Sequence, residues 1–490
     1  MKAYLKRLAK SVAANQLADI VSKFMAVLLL PLYTRYISPS GYGVVELLAN
    51  GTIFVSIVVR FGVIEAFARF YFFDEDPDRR AALIRRSVGF LLGATTITAG
   101  VLAAAAGPVS KALLSHRDVP TFLIAVLGLW TFTNLELAYW LLRVDERARV
   151  YATASLINVG LTIVTSVILV VAVGMGARGL LLANYGASAI VLAGLWWMLR
   201  GVLRPRPGAR AIGERLPVLL RFGLPTVPAE VSVYALSLVD RYYLYHARSA
   251  ALAGVYSIAI KLAGAVGFIV RAFQYAWPPL AYSVRDDAEA ARLYGLVTTY
   301  YVLVSGAVVA ALALLSRWIL RLLATHAYFG AYKAVPWVAL GWALYGLWVI
   351  FLVIAGRANA TTRNFPAAFA GLAVNVTLLV LVVPQVGLAG AGIALSGAYV
   401  VMLVVMHLLT RGLFTVRFEW RRLGQIVVVM GAVAALGDLL LPTHGLAGFT
   451  TRALALLVIP AALLVTHFPH PEELGQLRLL ARRGVAGGQA

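Results

Sequence analysis

Apolar residues run through this chain in long windows, separated by short polar connections. They fall near 11–37, 41–62, 87–108, 120–143, 150–173 and 179–200, and after a polar break near 217–246, 252–280, 294–316, 335–356, 364–384, 389–411, 423–441 and 447–467. A helix crossing a bilayer needs about 20 apolar residues, and each window reaches that length or comes close to it. The pattern predicts an all-α integral membrane protein of about fourteen transmembrane helices. Gly223, Pro225 and Pro228 interrupt the start of the window at 217–246, because proline removes a backbone donor and clashes with the preceding turn.

Charge then orients the spans. Alternate connections carry Lys2, Lys6, Arg7 and Lys10, then Arg79, Arg80, Arg85 and Arg86, then Arg143, Arg147 and Arg149, and then Arg200, Arg204, Arg206, Arg210 and Arg215. The intervening connections hold few cations. Excess Lys and Arg mark the cytoplasmic side, so both termini are expected there. The basic stretch from Arg200 to Pro217 separates two sets of six spans. The expected organisation is an N-lobe at 1–200, a cytoplasmic linker at 201–216, a C-lobe at 217–411, an extra helix pair at 412–467 and a cytoplasmic tail at 468–490. Six spans per lobe is an even number, so a repeat would be parallel, about an axis along the membrane normal. Gly43 and Gly254, Arg60 and Arg271, and Tyr71 and Tyr282 all lie 211 residues apart.

Composition narrows the class. The 490 residues are 61% hydrophobic and 13% charged, against about a quarter charged in an average soluble protein. The net charge of +22 would suggest nucleic acid in a soluble domain, but here it lies in short loops facing lipid headgroups. The absence of cysteine excludes a disulfide framework and thiolate-based metal or nucleophile chemistry. No Walker-type G-x-x-x-x-G-K-[ST] occurs, so no cofactor is expected and any energy source is an ion gradient or the membrane potential.

Within the spans a few charges stand out. Asn15, Asp19 and Lys23 share one stripe of the first helix. Lys261 lies well inside the eighth, about 14 Å from its outer end at 1.5 Å per residue. A central charge facing lipid costs about 2.5–3.5 kcal/mol, so these groups either line a wet cavity or pair within the protein. Arg60 and Arg271 are expected near the cytoplasmic ends of helices 2 and 8, as interfacial anchors or at the rim of an inward mouth. Glu46, Glu136 and Glu230 are lone acids within spans 2, 4 and 7, suited to carrying a coupling ion or to pairing with a cation. Asp240 and Arg241 read as structural groups ending helix 7.

The pattern G-L-P-x-x-P, then D-R-Y, G-V-Y-S-I-A-x-K-L and P-P-L-A-Y-S, spanning Gly223 to Ser283, resembles the second half of polysaccharide transporters. These belong to the multidrug/oligosaccharidyl-lipid/polysaccharide (MOP) flippase superfamily. Leu30 to Leu47, L-P-L-Y-T-R-Y-I-S-P-S-G-Y-G-V-V-E-L, looks like their opening signature. The resemblance implies two six-helix lobes around a cavity open alternately to either side, a MATE-like fold. It implies a flippase in a bacterial or archaeal cytoplasmic membrane that moves a lipid-linked oligosaccharide, carried on polyprenyl pyrophosphate, to the outer leaflet. Membrane lipids and polysaccharide biosynthesis machinery are the other expected partners, with no nucleic acid. Lys261, Lys23, Arg60 and Arg271 would then meet the phosphate, and Asp19, Glu46, Glu136 and Glu230 would serve coupling. A drug/cation antiporter of the same fold and a membrane polymerase or ligase remain the alternatives.

Overall fold

The computed structural model describes residue 25 and residues 27–73, 76–203, 216–358 and 360–469. Lys23, Asp19 and Asn15, most of the first window, the centre of the basic linker and the end of the tail therefore lie outside the described residues. Among the described residues there are helices and no strands. The first lobe holds α1 (Leu30–Tyr36), α2 (Pro39–Val59), α3 (Val63–Phe73), α4 (Pro77–Ala104), α5 (Ala106–Leu114), α6 (Val119–Val144), α7 (Ala148–Ser166, continued by a π-helical turn) and α8 (Gly176–Leu203). The second holds α9 (Leu216–Gly223), α10 (Val227–Ala247), α11 (Ala250–Ser283), α12 (Asp287–Leu323), α13 (Val335–Arg357), α14 (Asn364–Val386) and α15 (Leu388–Thr410). Two more helices follow, α16 (Trp420–Leu440) and α17 (Gly445–Val465), which pack on each other and on α12.

Twelve of these helices are long and apolar enough to span a bilayer, and α9 with α10 makes a thirteenth, broken span. All thirteen coincide with expected windows. The break is a 3₁₀ turn at Leu224–Thr226, where the Gly-Pro-Pro sequence placed it. Helix ends extend beyond the apolar windows because capping residues set them. Ser38, Asp76, Asp118, Ser249 and Asp286 each accept a backbone N–H of the first turn, satisfying one of its orphan donors. Capping by Asp76 starts α4 at Pro77, ten residues ahead of its window. The short helices α3 and α5 were not anticipated.

The parallel repeat is visible where the lobes meet. A Cβ on Gly43 would lie 2.0 Å from the carbonyl oxygen of Ala250, and one on Gly254 would lie 2.0 Å from that of Pro39. Pro39 and Ala250 are themselves 211 residues apart, so the contact is reciprocal about a pseudo-twofold axis. In lipid, helices associate through close packing and polar contacts, since tails are as apolar as leucine; glycine permits the approach. A second glycine seam closes the other end of the interface. A Cβ on Gly62, which has φ +67°, would lie 2.1 Å from the Gly223 oxygen, and one on Gly223 would lie 2.3 Å from the Gly62 oxygen. Both ends of the seam between the lobes are closed.

Candidate functional site between the lobes

Two charged clusters lie along this seam, one near each glycine contact. The first begins with Glu46 on α2, whose Oε1 is 2.9 Å from Lys261 Nζ on α11. Arg241 on α10 stands 3.8 Å from the other carboxylate oxygen, and Asn50 Nδ2 donates to the Glu46 backbone carbonyl at 2.7 Å. Lys261 also lies 5.0 Å from the centre of the Tyr42 ring. Lys261 and Glu46, expected separately as substrate cation and coupling acid, are therefore one inter-lobe ion pair. Lys261 occupies the position 211 residues after Asn50, so the repeat itself sets both on the shared face.

The second cluster sits at the opposite end of α2. Arg60 is its C-cap and is only 5% exposed. Its Nη1 donates to Glu136 Oε2 of its own lobe at 2.8 Å, and its Nη2 donates to Glu230 Oε1 of the other lobe at 2.6 Å. Both carboxylates keep about a third of their side chains exposed. Glu65 on α3 adds a third carboxylate within electrostatic reach of the other two. Arg60 Nε is buried without a hydrogen-bond partner. Arg271, its repeat equivalent, is exposed, with no ion pair or hydrogen bond among the described residues. The two arginines read alike in the sequence, and the structure separates them.

Asp240 and Arg241 do not end helix 7, because α10 continues to Ala247. Asp240 is 1% exposed and accepts from the Tyr256 hydroxyl at 3.0 Å. The side chain of Asn375, on the neighbouring α14, is buried within reach of this carboxylate. Burying polar atoms is costly unless they meet one another, as this amide and carboxylate do. The sequence marks Asp240 as a structural group, but nothing in it points to Asn375, 135 residues away.

Away from these clusters, between α12, α13, α15 and α16, lies a cavity of about 1030 Å³. Its walls are apolar, with Val309 and Leu344 at mid-depth, Arg317 and Asp438 at one end and His407 and Trp420 at the other. Along α12 it extends from Thr298 to Arg317, roughly 28 Å at 1.5 Å per residue, close to the bilayer core.

Residues 8–281, more than half of the chain, match the family described as "Polysaccharide biosynthesis protein". The chain belongs to that family. The chain also shares its fold with solved membrane transporters. The lipid II flippase MurJ in an inward closed conformation superposes with a TM-score of 0.72 at 13% identity, covering 93% of this chain and 99% of that one. A multidrug resistance MATE family transporter of the MOP superfamily, inward-facing, gives 0.63 at 15% identity, covering 80% and 95%. A Vibrio cholerae MATE transporter gives 0.59 at 13% identity, covering 87% and 98%. No curated protein matches the sequence. The MOP-type fold expected from the sequence is thus found.

Proposed function

We propose that this protein flips a lipid-linked oligosaccharide from the cytoplasmic to the outer leaflet by alternating access between its two lobes. The observation that carries this reading is an apolar cavity of bilayer depth in the second lobe, together with a charged, partly exposed seam between the lobes. A glycan with a (pyro)phosphate loses its hydration in hydrocarbon and needs a polar path, while its lipid chain needs an apolar one. The two compartments supply both. Membership of a polysaccharide biosynthesis family, and a fold shared with a protein titled a lipid II flippase, support the same substrate class.

In this reading the Arg-rich connections are cytoplasmic and the Gly43–Gly254 seam faces outward. The N-lobe at 1–200 and the C-lobe at 217–411 rock against each other. Arg60, Lys261, Arg271 and Lys23 are the cations available to the phosphate, since guanidinium and ammonium groups are its usual partners. Coupling falls to acids whose charge changes with state: Asp19, Glu46, Glu136 and Glu230, joined by the buried Asp240.

The test is a deletion strain lacking redundant transporters. Polyprenyl-linked glycans should accumulate on the cytoplasmic leaflet, cleaved by an impermeant glycosidase only after the membrane is opened. Normal surface polysaccharide would overturn the reading. Normal polysaccharide with new sensitivity to organic cations would establish the antiporter alternative instead.

A further inference from the structure

Arg60 is bound in an incomplete way. A guanidinium presents Nε and Nη2 along one edge, a fork that matches two oxygens of a carboxylate or phosphate. In this protein Glu230 engages that edge through a single oxygen, on Nη2 at 2.6 Å. The other donor of the edge, Nε, is buried and unpaired. Glu136 meanwhile holds the remaining nitrogen, Nη1, from within the same lobe at 2.8 Å. The guanidinium therefore stays anchored whatever happens at its Nε/Nη2 edge.

We propose that the Nε/Nη2 edge of Arg60 is an anion site that takes the phosphate oxygens of the lipid-linked head group, displacing Glu230. This deepens the flippase reading and rests on it. A phosphate spanning both donors would satisfy the buried Nε that Glu230 leaves open. It would carry its charge into a cluster already holding Glu65, Glu136 and Glu230, so the incoming anion must exchange with a carboxylate rather than join it. Glu230 is the exchangeable one, because it occupies the edge that carries the open Nε, whereas Glu136 holds Nη1 on the other side. It is also the only acid of the three on the opposite lobe, and it sits on α10 just past the Gly-Pro-Pro break that meets Gly62. The exchange therefore removes the direct ion pair between the lobes at this end. Arrival of the head group and release of the inner seam become one event. Arg271, equivalent by the repeat and exposed, has no carboxylate partner among the described residues and makes no such link there.

The experiment uses the purified full chain in detergent, with farnesyl diphosphate, inorganic pyrophosphate and farnesol as probes in native mass spectrometry. Farnesyl diphosphate should bind, farnesol should not, and Arg60→Gln should abolish binding. Arg60→Lys, which keeps the charge without the fork, should bind about tenfold more weakly. Glu230→Gln should bind about tenfold more tightly, because the anion no longer competes with a carboxylate. A structural role for Glu230 would instead leave affinity unchanged or lower it, and that result overturns the exchange. Cysteines at Phe61 and Leu224, beside the Gly62–Gly223 contact, should bridge with a short bis-maleimide, and farnesyl diphosphate should reduce the yield. Binding to wild type that survives Arg60→Gln and Arg60→Lys overturns the Arg60 site and leaves the flippase reading intact. No binding to wild type overturns both. Inorganic pyrophosphate binding as tightly as farnesyl diphosphate overturns the lipid head group as the occupant and indicates free phosphate.

Discussion

Lys261 reaches across the lobe interface to place its Nζ 2.9 Å from Glu46 Oε1, a contact between helices 215 positions apart in sequence. Both side chains are largely buried, at 29% and 13% exposed. Removing one partner of a buried pair leaves an uncompensated charge and costs about 3–5 kcal/mol, whereas removing both is often nearly neutral. Lys261→Met should therefore lower the thermal stability of the purified protein. Adding Glu46→Gln should restore most of it. If the double variant folds normally yet exports no glycan, the charge itself serves transport. A single variant as stable as wild type would show that Arg241, 3.8 Å from the same carboxylate, suffices as its partner.

The glycine contacts predict wedges. A methyl at Gly43 or Gly254 would meet a backbone carbonyl at 2.0 Å, and backbone cannot rotate away as a side chain can. Gly43→Ala or Gly254→Ala should hold α2 and α11 apart at their starts. Ser257, 1% exposed and one turn beyond Gly254, is a suitable reporter when replaced by cysteine. Its maleimide labelling should rise several-fold in either glycine variant. Gly264→Ala, at a place where a Cβ meets nothing within 4 Å, should leave labelling unchanged.

How far the sequence reached follows from what its periodicities encode. Apolar windows of bilayer length and the Gly-Pro-Pro break translate directly into helices and a broken span. The shared 211-residue offset found the reciprocal Gly43–Gly254 contact. Which charge meets which was not legible. A 3.6-residue period gives the face of a helix but not the helix it crosses, so Arg60, Glu136 and Glu230 looked like three lone charges. Their partners lie 76 and 170 residues from Arg60. The same limit hid Asp240, whose apparent place at a helix end came from reading D-R-Y as a terminus. Asp19 and Lys23 fall outside the described residues, so their stripe stands as a sequence expectation.

Orientation can be tested without disturbing the fold, because the native chain lacks cysteine. The Arg/Lys alternation places Asp78 on the cytoplasmic side and Ser249 and His444 outside. Single cysteines at Ser249 and His444 should react with an impermeant maleimide in intact cells. One at Asp78 should react only after permeabilisation. The reverse pattern would invert the topology and, with it, the direction of export.

A buried cation, Arg452, ties the last two helices together at one end. Arg452 on α17 is fully buried, and its guanidinium donates to the carbonyls of Leu314, Asp438, Leu441 and Pro442 and to the Asp438 carboxylate at 3.2 Å. One side chain thus joins α17 to the end of α16, the following turn and α12. A guanidinium has five N–H donors, and in hydrocarbon each needs an acceptor, so this site stabilises the pair only when fully made. Arg452→Met keeps the stem and deletes every donor, leaving at least four carbonyls without this partner. It should destabilise the packing of α16 and α17 on α12, with a loss of about 3–5 kcal/mol as for a broken buried pair. Asp438→Asn keeps a carbonyl acceptor and should cost less. Limited proteolysis distinguishes local from global damage. Arg452→Met should speed cleavage in the turn between α16 and α17, while the Phe61–Leu224 cysteine bridge between the lobes forms as in wild type. Equal loss of that bridge would show that the pair supports the lobe interface as well, and that the cavity wall formed by α16 is part of the same cooperative unit.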